Sequence, residues 1–200
     1  MNIDLYRAIP QSSFDANRAY KRYSTQRAPG NIPYVVDNIL EWLRPEDMPN
    51  RRFCAYANLT PEQALKNATP SKSDDVVKAY KLVISGGNVK IANLATDARY
   101  HSDIKALKKL VENEANGIIQ SQDKQAKAQI APFFLPCLTK EEMNKLAATS
   151  KEIASILNKA QEMSSFWKDA RFIPGESEAK DGELFFELAG PDDSYTLSEF

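Results

Sequence analysis

The sequence predicts an α+β fold, and three observations carry that expectation. Short apolar stretches of strand character fall in residues 1–95 and 171–198, at the two ends of the chain. From Ser102 to about Trp167, apolar residues instead recur at i, i+3 and i+4. Strands and helices are therefore segregated along the chain, which separates α+β from a doubly wound sheet. The third observation is negative: neither GxGxxG nor GxxxxGK[ST] occurs, so Rossmann and P-loop sites are not expected.

The elements follow in chain order. "NIDLYRAI" alternates apolar and polar residues and reads as a first strand with Arg7 near its end. "FDANRAYKRYSTQRAPGNIP" reads as a helix fragment running into a loop, since it carries Pro29-Gly30 and Pro33. "YVVDNILEWLR", residues 34–44, has helical spacing and stops before Pro45. "RRFCAYAN" is the second strand. Thr60, Pro61 and Gln63 then supply an N-cap, a proline at the first helical position and the partner of a capping box. "AYKLVIS" is the third strand, and Gly86-Gly87 turns the chain into "VKIANL", the fourth. Two helices are expected at 103–122 and 139–165, the second opened by a Thr139–Glu142 capping box and separated from the first by "APFFLPC". "PGESEAKDGE" is a polar loop, "ELFFELA" a core strand and "SYTLSEF" an edge strand.

A chain of 200 residues, 42% hydrophobic and 26% charged, suits one domain. The domain expected spans 1–200, with the helical block at about 102–167 as an insertion. No apolar run is long enough to cross a membrane. The opening "MNIDLYRAIP" lacks the basic and apolar regions of a signal peptide, so a cytoplasmic location is expected. Cys54 and Cys137 fit neither a disulfide framework nor a zinc pattern and read as buried, reduced thiols. Net charge is −1, but residues 1–72 carry ten Lys/Arg against seven Asp/Glu, and residues 173–200 carry one Lys against eight Asp/Glu. A basic front suits an anionic ligand and an acidic end suits a working carboxylate; a solvated acidic end explains the second feature equally well.

Few residues carry chemistry. His101 is the only histidine, at a helix start, and reads as a surface residue. No Cys/His/Asp cluster has metal-ligand spacing, so no metal is expected. Arg7 in an apolar strand offers a planar fork for phosphate or ribose oxygens, or is simply an edge arginine facing water. Asp181, Glu183 and Glu187 share one face if the last core strand begins at the first of them. Glu183, at the strand mouth beside Phe185 and Phe186, is placed to meet a developing positive charge; the plainer reading is a charged residue flanking a core strand. Tyr34, Trp42, Phe53, Tyr56 and Trp167 supply aromatic surface, most of it core. The stretch 18–27, "RAYKRYSTQR", suits either nucleic acid or solvent.

Taken together, "LYRA", "CAYANLTPEQAL" and "DGELFF" resemble the signatures of the mono-ADP-ribosyltransferase superfamily, in that order along the chain. The resemblance covers residues 1–95 and 171–190 and leaves the helical block outside. It implies a split two-sheet core that binds NAD as co-substrate. It also implies a catalytic Glu183, NAD contacts from Arg7, Tyr56, Asn58 and Tyr34, and target recognition through Asp181, in the loop 173–182, and through Trp167. On this reading the second strand ends in small and polar residues because nicotinamide ribose packs against it. Where the Arg-containing subgroup has Ser-x-Ser, Tyr56 and Asn58 stand; where arginine-modifying members carry Glu, Asp181 stands. The function implied is transfer of ADP-ribose from NAD to an intracellular macromolecule, protein, DNA or RNA. A toxin, effector or phage-defence role, with an antitoxin or inhibitor as a further partner, belongs to the same implication. The competing expectation is a non-catalytic helical interaction module.

Overall fold

The computed structural model describes residues 4–22, 25–68, 76–175 and 178–200. The fold is α+β, and among the described residues six strands form: β1 Leu5–Pro10, β2 Ala55–Ala57, β3 Val77–Ser85, β4 Val89–Leu94, β5 Glu183–Leu188 and β6 Ser194–Ser198. They make two antiparallel three-stranded sheets, ordered β1-β3-β6 and β2-β5-β4. One bridge joins the sheets. Tyr6 and Asn58 exchange both backbone hydrogen bonds, each 2.8 Å. The strands thus run β4-β5-β2-β1-β3-β6 across the seam.

Strand alternation sorts the residues. Leu5, Tyr80, Leu82, Leu197 and Tyr195 of one sheet and Ala55, Ala57, Leu184, Phe186 and Ile91 of the other form one buried apolar cluster. The short helix α2, Pro61–Asn67, packs on β1 and β3. Its N-cap forms as the sequence implies, with Thr60 Oγ1 accepting from the Gln63 N–H at 3.2 Å. The reciprocal half of the box does not form: Gln63 Oε1 is buried without a partner among the described residues.

Gly86-Gly87 turns the chain from β3 into β4, as the sequence implies, but the turn does not close a hairpin. Instead β3 and β4 lie in different sheets, and the glycines carry the chain from one to the other. Gly86 has φ +131°, and a Cβ there would stand 2.0 Å from Asp193 Oδ1. The same Asp193, almost fully buried, accepts hydrogen bonds from the Gly190 N–H (2.7 Å) and the Asn88 N–H (3.4 Å). One carboxylate therefore ties together two of the connections that change sheet, β3 to β4 and β5 to β6.

The chain divides into two compact units. One comprises Met1–Thr25, Glu46–Asp97 and Ala170–Phe200 and holds all six strands; the other comprises Gln26–Pro45 and Ala98–Asp169. The helical block is thus completed by an upstream segment that the sequence did not assign to it. This unit contains α1 Tyr34–Leu43, α3 Ser102–Gln120, α4 Lys124–Ile130, α5 Lys140–Thr149, α6 Lys151–Met163 and α7 Phe166–Asp169. Buried Asn38 of α1 donates to Phe133 O and Leu135 O and accepts from the Leu138 N–H, fixing the proline-bounded connection before α5.

Two helical expectations are corrected, and one helix is added. No helix forms among the described residues of 14–33; Tyr20 there makes a bridge to Tyr195 instead. The helix expected over 139–165 is two, because Ser150 is extended (φ −134°, ψ 119°) and its hydroxyl caps the next helix at Ile153 N–H. Its capping box at Thr139 and Glu142 forms in full. The helix α4 was not anticipated. Cys54 is buried and Cys137 half-buried, neither is in a disulfide among the described residues, and Cys137 sits at φ +60°.

Replacing Asp193 by alanine is expected to lower unfolding stability by about 2 kcal/mol, the scale of hydrogen bonds to a charged acceptor. Denaturant unfolding followed by circular dichroism reads this as a lower midpoint, and an unchanged midpoint would mean that the two turns hold without the carboxylate.

Candidate functional site

Glu183 opens β5, the central strand of its sheet. It pairs with Leu94 of β4, and Ala57 of β2 pairs with Leu184. Carrying that register one residue on places Asn58 beside Glu183, and the seam bridge places Tyr6 beside Asn58. Paired residues project from the same face and successive residues from opposite faces. Tyr56, Asn58, Glu183 and Phe185 therefore share one face. Tyr56 and Phe185 lie with ring centroids 6.2 Å apart, and the Arg51 guanidinium stands 6.0 Å from the Phe185 ring centroid.

The turn before Glu183 is closed by contact. A Cβ on Gly182 would stand 2.2 Å from Leu94 O and 2.3 Å from Ala95 C, so no side chain fits there. Asn58 Nδ2 donates to Gly182 O at 3.1 Å. Asn58, expected to line a ligand pocket, thus also holds the backbone from which Glu183 projects. Ala55 and Ala57 point the other way, into the core cluster, so packing alone accounts for their small size.

Arg7 lies on the opposite face from Glu183, the face of Ala57 and Leu184. Its Nη1 donates to the Tyr195 hydroxyl at 2.9 Å, and its guanidinium stands 5.6 Å from that ring's centroid. It pairs across β3 with Tyr80, whose pKa is raised by burial first, then by Glu199 and Tyr20. Arg7 is therefore neither a water-facing edge arginine nor a neighbour of Glu183 on its own face.

The remaining expected residues divide. Asp181 is exposed in the bend before β5, outside the strand, so alternation does not set its face. Glu187 is buried and engaged: Arg22 reaches Oε1 at 2.7 Å, and the Asn50 N–H donates to Oε2 at 2.8 Å. Tyr34 is the exposed first residue of α1 in the helical unit. Trp167 belongs to that unit also; it is buried, and its Nε1 donates to Leu40 O at 2.7 Å. It borders a cavity of about 410 Å³ lined in part by Trp42, Lys140 and Lys168.

The cations of 18–22 have partners within the sheet unit. Arg18 covers the Tyr20 ring, Tyr20 stacks on Tyr195, Lys21 donates to Pro191 O, and Arg22 both pairs with Glu187 and covers Phe53. Residues 23–24 lie outside the described residues. His101 is a helix cap rather than a surface residue: Nδ1 accepts from the Asp103 N–H, and Nε2 lies 3.2 Å from Asp169 Oδ2. Ser165 Oγ donates to that same Asp169 and not to the imidazole, so the trio lacks the base–nucleophile contact of a hydrolase. Among the described residues no group of three or more His, Cys, Asp or Glu could hold a metal ion, and no helix is long and apolar enough to cross a membrane.

Comparisons with protein-family profiles, with curated proteins and with solved structures give no significant match.

Gly182→Ala is expected to destabilise the sheet unit by about 1–3 kcal/mol, the usual cost of forcing atoms into a packed site. Amide exchange should quicken at Glu183 and Leu184 before it does at β3. Uniform exchange across both sheets would show that Gly182 is not a local constraint.

Proposed function

We propose that the protein is an NAD-dependent ADP-ribosyltransferase. One observation carries the reading: Glu183 stands at the head of the central strand of its sheet, one strand from the seam, with Asn58 and Tyr56 on its face. The resemblance of "LYRA", "CAYANLTPEQAL" and "DGELFF" supports it, since these stretches contribute to β1, β2 and β5, three neighbouring strands.

In the proposed reaction, Glu183 accepts a hydrogen bond from a hydroxyl of the nicotinamide ribose. Its negative charge offsets the positive charge that grows on the ribose as the C1′–N bond breaks. The bonding pair leaves with nicotinamide, which becomes neutral, and an acceptor nucleophile bonds to C1′ and gives up its proton. Charge stabilisation of this kind is usually the largest catalytic contribution. Tyr56 and Asn58 shape the nicotinamide side. Arg7, one of whose nitrogens is held by Tyr195 on the opposite face from Glu183, grips with its other donors a phosphate or ribose of the part of NAD that extends past the nicotinamide end. Asp181, exposed beside the site, takes part in recognising a protein or nucleic-acid acceptor. A toxin, effector or defence role in the cytoplasm, with an antitoxin or inhibitor as partner, completes the proposal.

A second reading, a non-catalytic helical interaction module, has one observation in its favour. The cavity of the helical unit is bordered by both tryptophans of the chain and by Lys140 and Lys168. Incubation with NAD labelled in nicotinamide separates the two readings, because only the transferase releases the label.

Glu183→Gln is expected to keep the fold and remove at least ~2.7 kcal/mol of transition-state stabilisation, about a hundredfold in nicotinamide release. Wild-type rates from that variant would end its catalytic assignment. Arg7→Ala is expected to weaken NAD binding roughly tenfold or more, read by calorimetry with a slowly hydrolysed analogue, on the scale of a charge-assisted contact. Unchanged affinity together with a lower unfolding midpoint would assign Arg7 to the Tyr195 contact alone.

A further inference from the structure

We propose that Asn93 of β4 is a positioning residue for the Glu183 carboxylate, an inference that rests on the transferase reading above. Asn93 is fully buried, on the strand next to β5. Its neighbours Ile91 and Leu184 belong to the apolar core, where leucine or valine would serve packing better. A buried carboxamide must satisfy two N–H donors and one oxygen, and each group left unpaired costs about 1–3 kcal/mol. The partners of Asn93 are therefore informative.

Its main partners lie in the stretch that leads into Glu183. Oδ1 accepts from the Lys180 N–H at 2.5 Å, and Nδ2 donates to Lys180 O at 3.1 Å and Glu183 O at 3.3 Å. A longer contact of 3.4 Å reaches Leu94 O. By taking both the N–H and the C=O of Lys180, the carboxamide does for this residue what a neighbouring strand would do. Asn93 is itself tied down, because its backbone N–H donates to Ala170 O at 3.0 Å.

The other flank of β5 repeats the device. Asn58, from the β2 side, donates to Gly182 O, and Gly182 rests against Leu94 O. Two amides on opposite sides of β5 thus fix residues 180, 182 and 183. They hold the backbone without touching the Glu183 carboxylate. A carboxylate that must meet a developing charge acts most strongly when its position is set before the reaction begins. Asn93 sets where the Glu183 side chain starts; Glu183 does the chemistry.

The test is Asn93→Leu, which keeps the approximate size of the side chain but removes all four of its polar contacts. Nicotinamide release is measured over a range of NAD concentrations, and amide exchange over residues 178–188. Expected are a fall in kcat of at least tenfold, a KM for NAD within twofold, and faster exchange confined to 180–183. Ile156→Val, a core change in the helical unit, serves as a control for destabilisation and should leave kcat unchanged. If Asn93→Leu does not fold, Asn93→Asp, which keeps the acceptor for the Lys180 N–H, is read by the same criteria. An unchanged kcat in a folded variant of an active protein overturns the positioning role alone. Faster exchange throughout both sheets overturns it too, because the loss is then one of stability. A wild-type protein that releases no nicotinamide overturns the transferase reading and this role with it.

Discussion

Two backbone hydrogen bonds between Tyr6 and Asn58 join sheets that are otherwise separate. Without them β1 would be a free edge of one sheet and β2 a free edge of the other, each with unpaired peptide groups. The bridge also brings Tyr6, Asn58 and Glu183 into one row across three strands. Asn58 is central to that row: its main chain closes the seam while its side chain holds the turn before Glu183. A single residue thus couples the joining of the sheets to the placement of the candidate catalytic carboxylate.

All six strands were legible in the sequence, because alternation and apolar runs report local burial. Their partners were not. The turn at Gly86-Gly87 was legible, but not that it leads into the other sheet, since those glycines serve a close approach to Asp193, a residue more than a hundred positions away. A positive φ and a tight contact look the same in sequence as a two-residue turn. The break at Ser150 was hidden for a related reason: apolar spacing continues through it, and only the serine marks a new cap. Residues 14–33 misled in the other direction. Their aromatic and basic side chains suggested a helix, yet they are spent on stacking with Tyr195 and pairing with Glu187.

The site shows the same division. Glu183 was visible because a carboxylate follows a polar loop and opens an apolar strand. Its separation in role from Glu187 was not visible, since the two are four residues apart on one strand and share a face. Only the tertiary contacts with Arg22 and Asn50 distinguish them. Asn93 left no trace in the periodicity at all. One polar residue in "VKIANL" is compatible with any strand, and its meaning comes from a loop almost ninety positions further along. Arg7 was recognised as unusual for its strand, but its contact with Tyr195 depends on β6, near the other end of the chain.

The division of the chain bears on its synthesis. The polypeptide passes between the two units at Thr25/Gln26, Pro45/Glu46, Asp97/Ala98 and Asp169/Ala170. Every segment of the helical unit has left the ribosome once Asp169 emerges, whereas the central strand β5 and the edge strand β6 come later still. Domains generally begin to fold in the order in which they are made. Strands β1 and β3 can pair early, but β4 has no strand partner, and the shared core lacks Leu184, Phe186, Tyr195 and Leu197, until β5 and β6 are made. Pairings between such distant segments are slow to form because loop closure precedes any gain from contact. A nascent chain stalled before residue 183 would carry a finished helical unit on an unfinished sheet, and its exposed strand edges would invite aggregation.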